Sequence, residues 1–181
     1  APAATTTAAP ATTTKTVTKT YGGKAFSVKK SGATAYSSSN KNVITVSKAG
    51  KATIKGIGKT VISVKTSTGT TKTTYVVKPG KIASKSLKLA VKSSRKIKVS
   101  WTKRAGLGAT ASKAYYQIQY STSKKFTSST TKTMTVKGSV VSKTTPKLKK
   151  NKTYYVRVRG YDRTNKKAGS WSAVKKIKTK K

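Results

Sequence analysis

Apolar and polar residues alternate in short runs along the first half of the chain. Residues 43–46, 52–54 and 61–64 are runs of three or four residues rich in Val, Ile and Thr, and Gly50 and Gly56 lie between them. β-branched residues in short alternating runs, separated by glycine, are typical of antiparallel strands joined by tight turns. Helical periodicity is missing throughout, so the pattern predicts an all-β chain.

The second half carries longer strands with a cleaner alternation. Ile97, Val99 and Trp101 alternate with Lys and Ser, and residues 116–120 and 154–158 alternate apolar with polar or basic side chains. One apolar face and one polar face are expected of a sheet that packs on one side. Two such sheets form a sandwich, and about a hundred residues suffice for seven strands with their turns. We expect five residues in its core: Trp101, Ile118, Leu148, Tyr154 and Val156.

Three segments follow from these patterns. Residues 1–15 contain Ala, Pro, Thr and one Lys, which predicts a disordered linker. Pro79 and Gly80 interrupt the strand pattern, so we predict one β-sandwich over residues 16–78 and a second over 79–181. No apolar run approaches the roughly 20 residues of a membrane helix. The Ala-Pro-Ala-Ala start is that expected of a mature protein after signal-peptide removal, which predicts a secreted or cell-surface location.

The net charge of the chain is its strongest indication of function. The chain has 42 Lys and Arg against one acid, Asp162, and a formal net charge of +41. A net charge of roughly 2 to 8 already keeps a small domain in solution. Thirty-seven of the 42 basic residues are lysines, and lysine is a hydrated point charge that favours charge density over shape recognition. We therefore expect anionic polymers as partners.

Composition also excludes most catalytic chemistry. Cysteine and histidine are both absent, so there is no thiolate, no histidine base and no Cys or His metal ligand. One carboxylate cannot form a catalytic pair or a calcium cage. We expect no enzyme activity, no cofactor and no functional metal.

Two stretches resemble known families. Residues 36–64, YSSSNKNVITVSKAGKATIKGIGKTVISV, resemble the bacterial Ig-like group 2 domain in the order of the aromatic-Ser-Ser entry, the Val-rich strand and the glycines, and this resemblance covers about residues 16–78. Residues 79–179 resemble a fibronectin type III domain of bacterial surface proteins, through IKVSW, YYQIQYSTSKKF, LKKNKTYYVRVRGY and GSWSAVKKIKT.

The resemblance implies a fold and a class of function. It implies two tandem Ig-like and fibronectin type III-like β-sandwiches that act as spacers or binding modules of an exported bacterial protein. Leu148 and Tyr154 fit that family's Leu-x-Pro-Gly-Thr-x-Tyr corner, in which the Tyr hydroxyl bonds back to the chain, although Lys150 and Asn151 replace Pro and Gly. Relatives commonly carry exposed acids, whereas this chain has Lys, Gln, Ser or Thr.

The candidate binding residues are basic. In such a sandwich, Arg157 and Arg159 point outward from one strand, Gln117 and Gln119 neighbour them, and Tyr115 and Tyr155 border the same face. Trp171 is expected to pack over the sandwich end with basic side chains stacked on it. Asp162 is expected to make a local ion pair or a turn bond rather than to act in catalysis. The predicted polyanion-binding residues are Arg157, Arg159, Lys176, Lys178, Lys124, Lys125, Lys149, Lys150 and Lys152.

Several partners and functions stay open at this point. The polymer could be a teichoic acid-like wall polymer, a sulfated, sialylated or mucin-type glycan, a glycosaminoglycan, or extracellular DNA. The alternatives to a surface adhesion module are a dedicated nucleic-acid-binding protein, which the Lys excess and the lack of a recognition helix disfavour, and a structural spacer of a larger surface fibre. Membrane toxicity is disfavoured because no amphipathic helix is predicted. We expect a monomer in isolation.

Overall fold

The computed structural model describes residues 15–181, and within them the chain is all-β, as predicted. The predicted linker lies outside the described residues except for Lys15, which begins the first strand. Seven strands form the N-terminal sandwich: β1 Lys15–Thr20, β2 Phe26–Ser27, β3 Ala33–Ser38, β4 Ile44–Val46, β5 Lys51–Ile54, β6 Gly58–Thr66 and β7 Gly69–Lys78.

Two sheets enclose the core of the N-terminal sandwich. One has the strand order β1-β7-β6-β3, with β1 parallel to β7, and the other has the order β2-β5-β4. Alternation along β6 turns Thr60, Ile62 and Val64 inward, because successive strand residues face opposite sides. These side chains meet apolar residues from the facing sheet. The buried core consists of Val43, Ile44, Ala52, Ile62, Val64, Tyr75 and Val77.

The remaining strands form the C-terminal sandwich. Its five-stranded sheet has the order β11-β10-β13, with β14 and β15 both paired to β13, and its three-stranded sheet has the order β12-β9-β8. Single-turn 3-10 helices lie at Ser84–Ser86 and Ala111–Lys113. The strands are β8 Lys88–Ser93, β9 Lys96–Ser100, β10 Tyr115–Ser121, β11 Thr131–Lys137, β12 Ser142–Thr144, β13 Thr153–Asp162, β14 Lys167–Ala168 and β15 Lys175–Lys178.

The C-terminal core is rich in aromatic side chains. The ring of Trp101 meets that of Tyr116 edge-on, with 5.0 Å between the centroids, a geometry that aromatic pairs favour. All five residues predicted for the core are buried, which confirms that prediction: Trp101, Ile118, Leu148, Tyr154 and Val156.

The predicted tyrosine corner forms despite its altered turn. The Lys149 backbone N–H donates to the Tyr154 hydroxyl oxygen at 3.2 Å. Asn151 occupies the position of the usual glycine and has a φ of 54°. Asn adopts this left-handed conformation more readily than most residues. Asn151 therefore keeps the path of the corner, and the neighbouring lysines, Lys149, Lys150 and Lys152, make it basic.

The junction between the two sandwiches is tightly packed. Ile57, from the loop before β6, is 3% exposed and belongs to the C-terminal core. Its N–H donates to the Thr110 hydroxyl at 2.8 Å, and Gly56 and Gly108 form an isolated bridge. Tyr21, which follows β1, packs against both cores. The contacts therefore join the two sandwiches at several points of the chain.

Within residues 15–181, no helical segment has the length and apolar character that crossing a membrane requires.

Candidate functional site

The outer face of the five-stranded sheet gathers several of the predicted site residues. In the β10–β13 register Gln119 pairs with Arg157 and Gln117 with Arg159. In the β13–β15 register Tyr155 pairs with Lys176 and Thr153 with Lys178. Directly paired residues share one face of a sheet. Alternate residues of β13 are buried, so the others, including both arginines, face outward.

The two arginines are stacked against aromatic rings. The Arg157 guanidinium carbon lies 3.9 Å from the centroid of the Phe126 ring and 4.5 Å from that of Trp171. The Arg159 guanidinium carbon lies 4.2 Å from the centroid of the Trp171 ring. At these distances a cation is attracted to the ring quadrupole. We call Phe126, Arg157, Trp171 and Arg159 the ladder.

Glutamine amides fix both guanidinium groups. Arg157 Nε donates to Gln119 Oε1 at 2.9 Å, and Arg159 Nε donates to Gln117 Oε1 at 2.8 Å. Gln119 Nε2 in turn donates to Thr133 Oγ1 on β11 at 3.2 Å. Since the Nε–H of each arginine has a neutral partner, the terminal N–H groups of the guanidinium are the donors left for a ligand.

Burial under the aromatic rings disfavours the charged forms of Arg157 and Arg159. Desolvation lowers the pKa of Arg157, and the nearby charge of Arg159 lowers it further. Desolvation also lowers the pKa of Arg159, while Tyr161 has a smaller opposite effect. Arginine stays protonated in proteins, so both side chains remain cations. An anion at this face would offset part of the electrostatic cost.

The turn after β10 holds Phe126 over the sheet. Phe126 has a φ of 54°, an uncommon conformation for a bulky residue, and its N–H donates to the Ser123 carbonyl oxygen at 3.1 Å. The Lys125 N–H donates to Ser123 Oγ at 3.2 Å. Lys124 and Lys125 are therefore carried on a turn that is anchored beside the ladder.

Lys149, Lys150 and Lys152 lie in the tyrosine corner at one end of the same sheet. Thr179 Oγ1 donates to the Lys149 carbonyl oxygen at 2.7 Å, and the Lys152 N–H donates to Thr179 Oγ1 at 3.0 Å. Thr179 follows Lys178 in the chain, so the corner borders the Lys178 end of the outer face. The structure thus brings together the arginines, Lys176 and Lys178, and places the corner lysines at their margin.

Trp171 was expected at the sandwich end. It lies instead over the outer face of the five-stranded sheet, with the two arginine side chains stacked on it as predicted. The buried Ser172 explains the position, because its hydroxyl accepts from the Val158 N–H at 3.0 Å and its own N–H donates to the Val158 carbonyl oxygen at 2.8 Å. These bonds hold residue 171 beside β13.

Asp162 stabilises a turn, which is one of the two roles expected for it. The side chain is 6% exposed, and its two carboxylate oxygens accept from the Asn165 N–H at 3.1 Å and from Asn165 Nδ2 at 2.6 Å. Arg163 lies over the Tyr115 ring, 5.6 Å from its centroid. Among the described residues no group of three or more His, Cys, Asp or Glu could hold a metal ion.

Sequence reasoning missed two parts of this site. Phe126 carries no local signal that its ring covers Arg157, because the left-handed backbone at that position cannot be read from the sequence. The bonds from Arg157 and Arg159 to Gln119 and Gln117 follow from the register, which the alternation of β10 and β13 could have suggested.

Comparison with known proteins places the C-terminal sandwich in a family. The family model described as "Rha78A-like, N-terminal immunoglobulin domain" matches residues 82–180, more than half of the 181-residue chain. No curated protein sequence matches the chain.

Several solved structures that resemble the chain are fibronectin type III domains. The FN1-FN3 domains of chicken CNTN1 are 19% identical with a TM-score of 0.49, over 74% of this chain and 49% of that one. The FN5 domain of Drosophila Lar is 20% identical with a TM-score of 0.44, over 57% of this chain and 98% of that one. The fn3 domain of human collagen alpha-1(XX) chain is 21% identical with a TM-score of 0.40, over 52% of this chain and 80% of that one. The chain thus spans about half the length of the chicken structure.

Proposed function

The chain belongs to the family of Rha78A-like N-terminal immunoglobulin domains, and we propose that it is a non-enzymatic module of a bacterial surface or secreted protein that binds anionic polymers. The binding is electrostatic and is centred on the outer face of the five-stranded sheet. We further propose that residues 16–78 form an Ig-like group 2 domain and residues 79–181 a fibronectin type III-like domain.

The observation that carries this proposal is the charge imbalance. Forty-two basic residues face one acid, and that acid is buried and bonded to Asn165. At physiological ionic strength the Debye length is about 8 Å, so neighbouring lysines on a small domain still repel one another. A bound polyanion removes this repulsion, whereas a surface selected for solubility alone would mix charges of both signs.

The proposed contact residues form one region. The two arginines, Lys176 and Lys178 share the outer face by register, and Lys124 and Lys125 lie on the turn anchored by Phe126. Lys149, Lys150 and Lys152 extend the region at the tyrosine corner. A linear polymer running along β13 could meet these groups in succession. The candidate polymers are a teichoic acid-like wall polymer, a sulfated or sialylated glycan and extracellular DNA.

Salt dependence tests the proposal. Isothermal titration with heparin, duplex DNA and teichoic acid at 50, 100 and 200 mM salt measures the number of ions released. A face with about 6 to 10 phosphate contacts should lose roughly 10³ to 10⁵ in affinity between 50 and 200 mM salt. Affinity that tracks the charge density of the ligand supports the proposal. A shallow salt slope, or tight binding to a neutral glycan with none to these polymers, contradicts it.

A further inference from the structure

A groove lies on the outer face beside the ladder. It has a volume of about 280 Å³ and is lined by Lys124, Tyr155, Val174 and Lys176. Tyr155 and Lys176 are direct partners in the β13–β15 register, and Lys124 stands on the turn that Phe126 anchors. Val174 is 40% exposed, which is unusual for a large apolar residue in this structure. Two ammonium groups, a phenol ring and an aliphatic side chain therefore surround one concavity.

We propose that this groove binds a single anionic sugar unit of a glycan, a pyranose that carries a sulfate, phosphate or carboxylate group. The C–H face of the sugar packs on Tyr155 and Val174, and the anionic group pairs with Lys124 and Lys176. This inference rests on the proposed polyanion-binding function and narrows its polymer class to glycans. The ligand needs an apolar face as well as a charge, which distinguishes this groove from the lysines elsewhere on the surface.

The aromatic side chains of the outer face favour a sugar over a nucleic acid. Proteins that bind single-stranded nucleic acid stack successive bases on successive aromatic rings. Here the rings of Phe126 and Trp171 already carry arginine guanidinium groups, and Tyr115 lies under Arg163. Tyr115 and Tyr161 face each other further along the sheet and do not line the groove, so Tyr155 is its aromatic ring. One ring suits one sugar unit. The groove volume of about 280 Å³ also agrees with a single sugar unit, because pockets for larger, drug-sized ligands span about 300 to 1,000 Å³.

The walls of the groove are held in place before a ligand arrives. On one side, the stack of Phe126 on Arg157 and the Phe126–Ser123 hydrogen bond fix the turn that carries Lys124. On the other side, β15 pairs with β13 and places Lys176 opposite Tyr155. Such preorganisation reduces the entropy lost on binding. The lysine side chains themselves adjust to a sulfate, a phosphate or a carboxylate, because an ammonium acts as a point charge.

The test uses oligosaccharides that differ in one property at a time. Dextran-derived tetrasaccharides carrying sulfate, phosphate or carboxymethyl groups at equal charge are titrated at 50 mM salt, together with the uncharged tetrasaccharide and a five-nucleotide oligo-dT. The groove variant is Lys124→Gln with Lys176→Gln. The control is Lys88→Gln with Lys98→Gln, two exposed lysines of the opposite sheet, so both variants lose the same net charge.

The three charged sugars should bind the parent protein, and their relative affinities identify the preferred anion. The groove variant should weaken that binding about tenfold, and the control less than twofold. Tyr155→Leu, which leaves the charge unchanged, should weaken it roughly threefold to tenfold, because the sugar no longer packs on an aromatic ring. Circular dichroism melting of each variant establishes that the sandwich is folded.

Equal losses of affinity in the groove variant and the control would overturn the inference. Tighter binding of oligo-dT that Tyr155→Leu abolishes would instead assign the groove to nucleic acid. Binding of long heparin at 50 mM salt distinguishes a failure of the proposed polyanion-binding function from a failure of the groove assignment. If the parent does not bind heparin, the proposed function fails; if it binds heparin but the groove variant behaves like the control, the groove assignment alone fails.

Discussion

The two sandwiches present basic residues on their outer faces in physically different ways. On the four-stranded sheet, Lys59, Lys65, Lys72 and Lys78 project from β6 and β7 among Thr, Ser and Val, and all four are exposed. On the five-stranded sheet, Arg157 and Arg159 are half-buried, stacked on aromatic rings and bonded to glutamines. The named charges of one face are exposed lysines, whereas the other face adds two arginines held by stacking and hydrogen bonds to its exposed lysines.

This difference predicts different contributions to binding. Immobilising a lysine side chain costs up to about 2 kcal/mol of conformational entropy, a cost that each lysine of the four-stranded sheet must meet when the ligand arrives. The stacked arginines have already given up that freedom on folding. The stacked arginines of the five-stranded sheet should therefore provide the stronger interaction per charge.

Charge reversal on each face tests this comparison most directly. Changing Arg157, Arg159, Lys176 and Lys178 to Glu should weaken heparin and DNA binding by roughly tenfold for each phosphate or sulfate interaction removed, near 0.1 M salt. Reversing the four lysines of the four-stranded sheet changes the net charge equally and should weaken binding much less. Interferometry at three salt concentrations measures both variants.

Loss of the ladder could itself alter the fold of that variant. Reversing Lys176 and Lys178 alone keeps both arginines, so this second variant separates the loss of charge from the loss of structure. Equal effects of the two four-residue reversals would show that the faces are equivalent and that total charge alone governs binding.

The two tryptophans allow a matched test of packing. Trp101→Ala should reduce the free energy of unfolding by about 3 to 5 kcal/mol, because it leaves a cavity in the aromatic core. Trp171 is half-buried and is held by two cation–π contacts, so Trp171→Ala should cost about 1 to 3 kcal/mol. Chemical denaturation followed by circular dichroism measures both. A Trp101→Ala protein as stable as the parent would contradict the core assignment.

Regular alternation made much of the C-terminal sandwich predictable. The burial of Ile118 and Val156 and the outward position of Arg157 all follow from a period of two residues in paired strands. The tyrosine corner was predictable from a family pattern, since Tyr154 needs a bond to the chain upstream whatever residues form the turn.

Contacts between distant segments were not predictable in this way. Ile57 is one apolar residue in a glycine-rich loop, and its neighbours do not reveal that it enters the other sandwich. The position of Phe126 depends on a positive φ, and that of Trp171 depends on the bonds made by Ser172. Each depends on tertiary contacts, which local periodicity does not encode.

The glutamines that bond to the ladder allow a test of whether their amides hold the arginine side chains in place. Gln119→Glu replaces a neutral acceptor by a carboxylate beside Arg157, whose charge is partly desolvated. A charge-assisted hydrogen bond is roughly twice as strong as a neutral one, so stability should rise by about 1 kcal/mol. Polyanion affinity should fall a few-fold, because the new carboxylate competes for the arginine and repels the ligand.

Thr18→Glu, at an exposed position of β1 in the N-terminal sandwich, is the control for added negative charge away from the ladder. Thermal melting and heparin titration of the two variants separate the effects. If Gln119→Glu gained no stability over the control, the amide would not be fixing the guanidinium as described.

The smallest expected effect concerns alkaline pH and the aromatic core. Burial raises the pKa of Tyr116 to about 12, against a smaller opposite effect of the Trp101 indole. An unfolded tyrosine ionises near pH 10, so the neutral hydroxyl of the folded state contributes stability that is fully present below pH 10 and is lost as the pH rises towards 12.

The variant Tyr116→Phe tests this effect. It should show a smaller fall in the free energy of unfolding above pH 10, because it has no hydroxyl to ionise on unfolding. Tyr36→Phe, on β3 of the N-terminal sandwich, is the control, because lysine deprotonation reduces charge repulsion equally in both variants. Urea unfolding at pH 9, 10.5 and 11.5 measures the difference, and identical pH dependence in the two variants would contradict a buried, neutral Tyr116.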